Sequence, residues 1–254
     1  MSIMNKLRPV LFTLLVAFFT ITVNAQVKKQ PVKKKTVYKT KTVVKVPVVT
    51  KIPGTRVRVT TDSGVMVIRL YDKTPKHRDN FIKLASAHFF DSLLFHRVIR
   101  GFMIQGGDPQ SKNASAGTML GGGDVGYTIP AEFDTSLFHK KGALSAARTE
   151  NPEKASSGCQ FYIVQGRAAT DQELDNLEIQ KGIKYSPAKR KIYTTIGGTP
   201  FLDMLYTVFG EVESGLEVID KIASVPTVSG DRPVGDVHMY IQVIEEKPGN
   251  GKIK

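Results

Sequence analysis

The 254-residue chain is poor in the residues on which many enzyme classes depend. It has one cysteine, Cys159, so it cannot form an internal disulfide. Since Cys159 precedes the apolar run "FYIV", we expect a buried, unreactive thiol. No serine lies in a Gly-x-Ser-x-Gly turn, so hydrolysis has no evident nucleophile. The glycine-rich stretches "GGD" and "LGGGDVG" lack the Gly-Lys-Ser/Thr ending of a phosphate-binding loop, and neither has the strand-to-helix setting of a dinucleotide site.

The histidines do not form a metal-binding pattern. The five of them are scattered, at positions 77, 88, 96, 139 and 238, and none of their spacings matches a known ligand motif. His96 directly precedes Arg97, and neighbouring residues of a strand point to opposite faces. We therefore expect His96 to be a packing residue, and we predict no metal site.

Acidic residues are absent from one part of the chain. Residues 26–58 contain eleven lysines and arginines and no acid, whereas 59–254 contain 23 basic residues and all 23 acidic ones. The net charge of +13 therefore belongs to a tail, and the region 26–55, with neither leucine nor phenylalanine, is predicted to be a flexible basic tether. The alternative is a segment attracted to anionic polymers or lipid headgroups of the cell envelope.

The only long apolar run lies near the N-terminus. Lys6 and Arg8 precede the apolar stretch 10–23, and "VNA" before Gln26 resembles a cleavage site. Residues 1–25 are thus predicted to be a secretory signal peptide, with an uncleaved anchor as the alternative. We expect a protein that is secreted across the inner membrane and is periplasmic or envelope-associated, which argues against a nucleic-acid partner.

The remainder, 56–250, is predicted to be one mainly β domain. Residues 56–61 and 65–71 are β-rich runs separated by "DSG", which indicates a hairpin. One helix is predicted to begin after Thr74 with Pro75 in its first turn. Another is predicted to begin at Ser214, with Glu217 completing a capping box. Many short strands with two helices far apart favour a closed antiparallel barrel.

Residues 170–196 do not fit that plan. Thr170 and Glu173 form a second capping box, Gly182 marks a helix end, and Ser186-Pro187 begins another short helix. We predict an inserted helical hairpin. It enters after Tyr162 and leaves before Phe201, so it is either a surface excursion or an element near the substrate groove.

The segment "FHRVIRGFMIQGGD" carries Arg97 and Gln105 in an apolar context. These residue types suit a reaction that breaks no bond, such as rotation about an X–Pro amide. Without a catalyst this rotation takes roughly tens to hundreds of seconds. In the twisted amide the prolyl nitrogen gains a lone pair, and a permanently charged guanidinium can donate to it. Such a bond stabilises the transition state in preference to the planar ground state. Arg100, beside a glycine, is expected to be a solvated turn residue.

This segment resembles the signature of the cyclophilins, the barrel-type peptidyl-prolyl cis-trans isomerases. The resemblance extends through "GYTIPAEF", "GALSAART", "SSGCQFYIV", "YTVFGEV" and "VIDKIASVPT", and covers 57–246 apart from the hairpin. It implies an eight-stranded closed antiparallel barrel capped by two helices. It also implies an isomerase that acts on proline-containing polypeptides without metal or organic cofactor, and we expect a monomer.

The resemblance also implies roles for individual residues. Arg97 would be the catalytic arginine and Gln105 the amide that orients the substrate. The implied substrate-binding residues are Phe102, Met103, Ala147, Arg148, Gln160, Tyr162, Phe201, Leu202 and Tyr206. Four of these depart from common family members: Tyr162 replaces phenylalanine, Arg148 asparagine, Phe201 tryptophan and Tyr206 histidine. These changes argue against tight cyclosporin binding. The alternative function is a non-catalytic module that binds proline-containing loops and is tethered at the envelope.

Overall fold

The computed structural model describes residues 55–244. The predicted signal peptide at 1–25, the predicted tether up to residue 54 and the predicted domain residues 245–250 lie outside the described residues. Within residues 55–244, no helix is both long and apolar enough to cross a membrane.

Short strands dominate the described chain. In β1 the residues Val57 and Val59 are buried while their neighbours are partly or fully exposed, and this alternation is the pattern of a strand with one face on the core. β1 and β2 form the predicted hairpin around "DSG", which is confirmed. The strands are β1 Arg56–Thr61, β2 Gly64–Leu70, β3 Leu93–Leu94, β4 Arg97–Ile99, β5 Met103–Gly106, β6 Thr128–Ile129, β7 Ala143–Ala146, β8 Ser156–Ser157, β9 Phe161–Val164, β10 Val208–Ser214 and β11 His238–Ile244.

Nine strands form one curled antiparallel sheet in the order β3-β11-β1-β2-β10-β7-β9-β5-β4, and β6 pairs with β8 separately. The prediction of a closed eight-stranded barrel is therefore wrong in strand number and in closure. The physical reason lies in the run "LFHRVI", residues 94–99, which by sequence alone is one uninterrupted β-rich stretch. It divides at Phe95 and His96, so that β3 pairs with β11 and β4 pairs with β5. β3 and β4 thus form the two edges of an open sheet.

The helices of the described chain are α1 Pro75–Ser86, α2 Asp171–Lys181, α3 Pro187–Thr195 and α4 Leu216–Ala223, with short 3₁₀ turns at Pro109–Ser111 and Pro200–Leu202. Thr74 occupies the N-cap of α1 before Pro75, as predicted, although its side chain makes no capping hydrogen bond. The predicted capping box of Ser214 and Glu217 is wrong. β10 continues through Ser214, and Gly215 at φ 86° becomes the N-cap because this left-handed turn suits glycine.

The main core lies where the sheet packs against α1 and α4. Phe81 of α1 and Phe161 of β9 meet edge to face, with ring centroids 5.4 Å apart, and Phe90 approaches Phe161 in the same way at 5.7 Å. Edge-to-face pairs of this kind contribute about 0.5–1.5 kcal/mol beyond the burial of their area. Ile219 and Ile222 of α4 are fully buried in the same cluster. The core fixes β9, and β9 carries part of the candidate site.

The helices α2 and α3 form an insertion between β9 and β10, and this pair, residues 171–195, is called the helical insertion below. Thr170 and Glu173 form the predicted capping box, and Gly182 ends α2 in the left-handed conformation. The two helices share a small core of their own, which includes Leu174 and Tyr193. Arg190 of α3 also pairs with carboxylates of α2, namely Asp171, Asp175 and Glu178.

Candidate active site

Arg97 and Gln105 lie opposite each other on paired strands. Arg97 opens β4 and is in register with Gln105 of β5, so the two side chains share one face of the sheet. The Arg97 Nη1 donates to Gln105 Oε1 at 3.5 Å. The Arg97 side chain is 41% exposed, so an approaching ligand can reach it.

A second glutamine holds the first in place. Gln105 Nε2 donates to Gln160 Oε1 at 3.0 Å, while Gln160 Nε2 donates to the carbonyls of Gly121 at 2.9 Å and Gly123 at 2.7 Å. These bonds fix which end of each amide is the donor. The oxygen of Gln105 therefore faces Arg97, and Gln160 acts here as a support for Gln105.

The stretch "LGGGDVG" has no phosphate-binding signature, but its backbone supports the site. The carboxylate of Asp108 accepts from the backbone N–H of Gly121, and a Cβ on Gly123 would collide with that carboxylate. Glycine at 123 therefore lets the loop approach Asp108 closely enough to present its carbonyls to Gln160. The sequence contained the glycines, but no local pattern connected them with Gln160.

Asp231 is a partner of Arg97 that sequence reasoning missed. Its carboxylate Oδ2 accepts from Arg97 Nε at 3.2 Å, and its backbone carbonyl accepts from Val98 N at 2.8 Å. Asp231 adopts φ 62°, which places it in the left-handed region that aspartate tolerates better than most residues. The two residues are 134 positions apart, so no local pattern could have indicated this pair.

An apolar cluster adjoins these polar groups. Met103, Ala147, Tyr162 and Leu202 are each at most 9% exposed and belong to one buried cluster. Phe102 and Tyr206 pack against this cluster as half-buried residues. Together these six residues are called the apolar pocket cluster.

The remaining predicted residues lie at the margin of this cluster. Phe201 is 47% exposed, and its ring lies 5.8 Å from that of Phe102. The Arg148 guanidinium lies over the Tyr206 ring, 4.7 Å from its centroid, and its Nε donates to Leu205 O at 3.2 Å. Arg148 is thus held against an aromatic wall.

The Tyr162 hydroxyl is satisfied inside the protein. It bonds His139 Nε2 at 3.0 Å, and His139 Nδ1 bonds Asp203 Oδ1 at 2.9 Å. Because the carboxylate accepts, Nδ1 carries the ring proton and donates to it, and in this tautomer of the imidazole Nε2 is the acceptor for the hydroxyl. Burial raises the pKa of Tyr162 well above its usual value, so the phenol stays neutral. The Tyr162 hydroxyl, which a phenylalanine would lack, therefore needs no hydrogen bond from water in the pocket.

The site offers donors and apolar surface, and little other chemistry. Cys159 is buried, as predicted, and burial raises the pKa of its thiol to about 11, so it is not a nucleophile at neutral pH. Residues 55–244 contain no group of three or more side chains suited to holding a metal ion. The exposed Arg100 lies in the turn between β4 and β5, as predicted.

We expect His96, which neighbours Arg97, to make the stability of the domain sensitive to acid. It is 3% exposed, both ring nitrogens lack a partner in the described chain, and burial lowers its pKa from 6.5 to about 4. The unfolded chain therefore binds more protons between pH 6.5 and 4, so this contribution to stability is complete above pH 6.5 and is lost as the pH falls through that window. We expect His96→Leu to reduce the loss of unfolding free energy between pH 7 and pH 5 by about 2 kcal/mol.

The measurement is urea unfolding of wild type and His96→Leu at both pH values. His77 is also buried with a lowered pKa, caused first by burial and opposed by Glu132, so part of the acid sensitivity should persist in the variant. Equal pH dependence in the two proteins would contradict the assignment to His96.

The curled antiparallel sheet that carries this arginine–glutamine pair has a cyclophilin-like fold. The chain belongs to the cyclophilin-type peptidyl-prolyl cis-trans isomerase family, whose model matches residues 56–243. The family and the names of its relatives identify the protein as a peptidyl-prolyl isomerase. A relative from Staphylococcus haemolyticus, named as a peptidyl-prolyl cis-trans isomerase, is 34% identical over 193 residues, which are 76% of this chain and 92% of that protein.

Two further relatives differ in extent. A protein from Streptococcus pyogenes, named as a bifunctional phosphatase/peptidyl-prolyl cis-trans isomerase, is 38% identical over 196 residues. That match covers 76% of this chain but only 38% of the bifunctional protein. The crystal structure of a Cryptosporidium parvum cyclophilin-type isomerase superposes with a TM-score of 0.56 at 21% identity, covering 76% of this chain and 99% of that one. The structural likeness concerns the fold.

Proposed function

We propose that this protein accelerates X–Pro rotation in exported or unfolded polypeptides, with Arg97 donating to the prolyl nitrogen of the twisted amide. The observation that carries the proposal is the in-register pair of Arg97 and Gln105 beside the apolar pocket cluster. The cluster would bind the proline ring, and Gln105 would hold the carbonyl side of the bond. No step requires a nucleophile, a metal ion or an organic cofactor.

The hydrogen bonds that the site can offer are of the strength that catalysis of this rotation requires. The rotation barrier is about 18–20 kcal/mol, and an acceleration of ~10⁴–10⁵ needs about 5–7 kcal/mol of transition-state stabilisation. A hydrogen bond from a charged donor contributes about 1.5–3 kcal/mol. One or two such bonds, preorganised beside an apolar wall and strengthened by exclusion of water, approach that total. Asp231 and Gln105 supply the preorganisation, because each bonds a different nitrogen of Arg97.

The cellular context rests on the N-terminal sequence. The signal-like residues 1–25 and the basic segment that follows support an exported isomerase that is periplasmic or envelope-associated. The basic segment would favour contact with anionic envelope surfaces. N-terminal sequencing of the exported protein should begin at Gln26, and an intact Met1 on exported material would count against a cleaved signal.

The substrate class is tested by refolding a protein whose slow phase is an X–Pro isomerisation. The slow rate should rise in proportion to the concentration of the isomerase, because an unfolded chain exposes its prolines. A short X–Pro peptide serves as the control substrate. Acceleration with the peptide and none with the unfolded chain would confine the activity to small substrates and contradict this part of the proposal.

A further inference from the structure

The helical insertion contacts a segment that lines the apolar pocket cluster. Residues 200–203 are called the pocket-wall segment; they include Leu202, which belongs to the cluster, and Phe201 at its margin. The segment is one short 3₁₀ turn, Pro200–Leu202, followed by Asp203. A single 3₁₀ turn has few hydrogen bonds of its own, so the position of the segment depends on the groups that bond to it.

Two side chains of the insertion region bind backbone carbonyls of the pocket-wall segment. Lys181, the last residue of α2, places its Nζ 2.7 Å from Phe201 O, 3.0 Å from Asp203 O and 3.5 Å from Pro200 O. Tyr185, between the two helices, donates its hydroxyl to Pro200 O at 3.0 Å. One ammonium and one phenol therefore bond three of the four carbonyls of the segment.

A chain of buried hydrogen bonds continues from α3 into the pocket. Tyr193 of α3 donates its hydroxyl to Asp203 Oδ2 at 2.7 Å. The other oxygen of Asp203 accepts from the backbone N–H and from Nδ1 of His139, both at 2.9 Å. His139 in turn bonds the Tyr162 hydroxyl. All four residues are at most 5% exposed, so water does not compete for these bonds.

This chain joins two residues that have no direct bond to each other. Tyr193 belongs to the insertion, and Tyr162 belongs to the apolar pocket cluster, where its ring meets Tyr206 edge to face at 5.8 Å. The aspartate accepts from both sides and holds the histidine ring in one orientation, and the histidine fixes the direction of the tyrosine hydroxyl. The place of the Tyr162 ring therefore depends on contacts made by the insertion.

We propose that the helical insertion positions the proline pocket, with Tyr193 acting on Tyr162 through Asp203 and His139 while Lys181 and Tyr185 hold the pocket-wall segment. The proposal rests on the proposed function, because the pocket it concerns is the one that binds the substrate proline. Lys181, Tyr185, Tyr193, His139 and Asp203 are positioning residues. Arg97 is bonded by Gln105 and Asp231, outside this network. The insertion should therefore govern substrate binding more than the rotation step.

The first test is Tyr193→Phe, which removes one hydroxyl and keeps the ring. For an X–Pro peptide we expect KM to rise about three- to tenfold with kcat within twofold of wild type. Lys181→Met, which keeps the aliphatic chain, should raise KM in the same way. Tyr240 lies on β11, and its exposed hydroxyl accepts from Ser92, so Tyr240→Phe is a control that should leave both constants unchanged.

The second test is a double-mutant cycle between positions 193 and 162. If the chain of bonds connects them, Tyr193→Phe should have little further effect on KM once Tyr162→Phe is present. Unchanged KM in Tyr193→Phe and Lys181→Met, or fully additive effects in the cycle, would overturn the proposal, even if unfolding shows lower stability. Absence of turnover in wild type would instead overturn the proposed function, so the two failures are distinguishable.

Discussion

Replacing Arg97 with alanine is expected to lower kcat for an X–Pro peptide by about 10²–10³, the effect of removing one preorganised donor from an active site. KM should change little, because the planar amide nitrogen of the ground state barely accepts a hydrogen bond. The fold should survive, since the Arg97 side chain is 41% exposed and its ion pair with Asp231 is half-exposed and weak. A protease-coupled isomerisation assay gives both constants.

Arg100→Ala is the matched control for this prediction. Arg100 is an exposed arginine three residues away, in the turn between β4 and β5, so the variant loses the same charge from a nearby position in the chain. We expect its kcat to equal that of wild type. If Arg100→Ala lost as much activity as Arg97→Ala, local charge rather than a directed hydrogen bond would be responsible.

Replacing Asp203 with alanine should have the largest effect on stability, a loss of about 3–5 kcal/mol of unfolding free energy. Asp203 is 5% exposed and accepts from the backbone and ring of His139 and from Tyr193. Without the carboxylate these buried donors have no acceptor, and each unsatisfied donor costs about 1–3 kcal/mol. Asp203→Asn keeps one oxygen acceptor and should lose less.

Urea unfolding with a common slope gives these differences directly. Asp175→Ala is the matched control, because this carboxylate is 58% exposed and bonds Arg190 at the surface of the insertion. It should cost no more than about 1 kcal/mol. A loss from Asp203→Ala no larger than from Asp175→Ala would show that the buried network contributes little to stability.

Local patterns predicted much of the secondary structure. The hairpin around "DSG", the start of α1 after Thr74 and the capping box of Thr170 each depend on a few adjacent residues, and each is confirmed. The error at Ser214 has a physical cause. The side chain suited a cap, but pairing of β10 with β2 extends the strand through that residue, so sheet hydrogen bonds outweighed the capping preference.

Closure of the sheet could not be predicted from local patterns. Whether "LFHRVI" is one strand or two depends on where β11 and β5 present their edges, and both lie outside the run. Strand pairing between distant residues has no signature in a single sequence. The prediction of eight strands followed from the family resemblance, and the division at Phe95 and His96 increased the count to nine.

The site shows the same division between local and distant information. The motif "FHRVIRGFMIQGGD" indicated Arg97 and Gln105, and the structure places them in register. Asp231 and the carbonyls of Gly121 and Gly123 support these two residues from other parts of the chain. Every residue has a backbone carbonyl, so the sequence does not mark the ones that support the site. Nothing in the sequence distinguishes Asp231 from other aspartates in turns. Such supporting contacts become visible only in three dimensions.

The insertion illustrates how a charged surface segment can have an internal role. Its composition predicted either a surface excursion or an element near the groove, and the contacts of Lys181 and Tyr193 favour the second. The departure of Tyr162 from phenylalanine has a corresponding explanation. Its hydroxyl bonds His139, so the substitution adds a polar connection behind the pocket wall.

The most direct test of the central claim is exchange NMR of an X–Pro peptide with wild type and Arg97→Ala, together with the dissociation constant of each complex. The measurement separates a catalyst from a module that only binds proline-containing loops. We predict that wild type accelerates cis-trans exchange, and that Arg97→Ala binds the peptide with similar affinity but accelerates exchange about 10²–10³-fold less. Equal exchange in the two proteins, or peptide binding by wild type without acceleration, would contradict the role of Arg97.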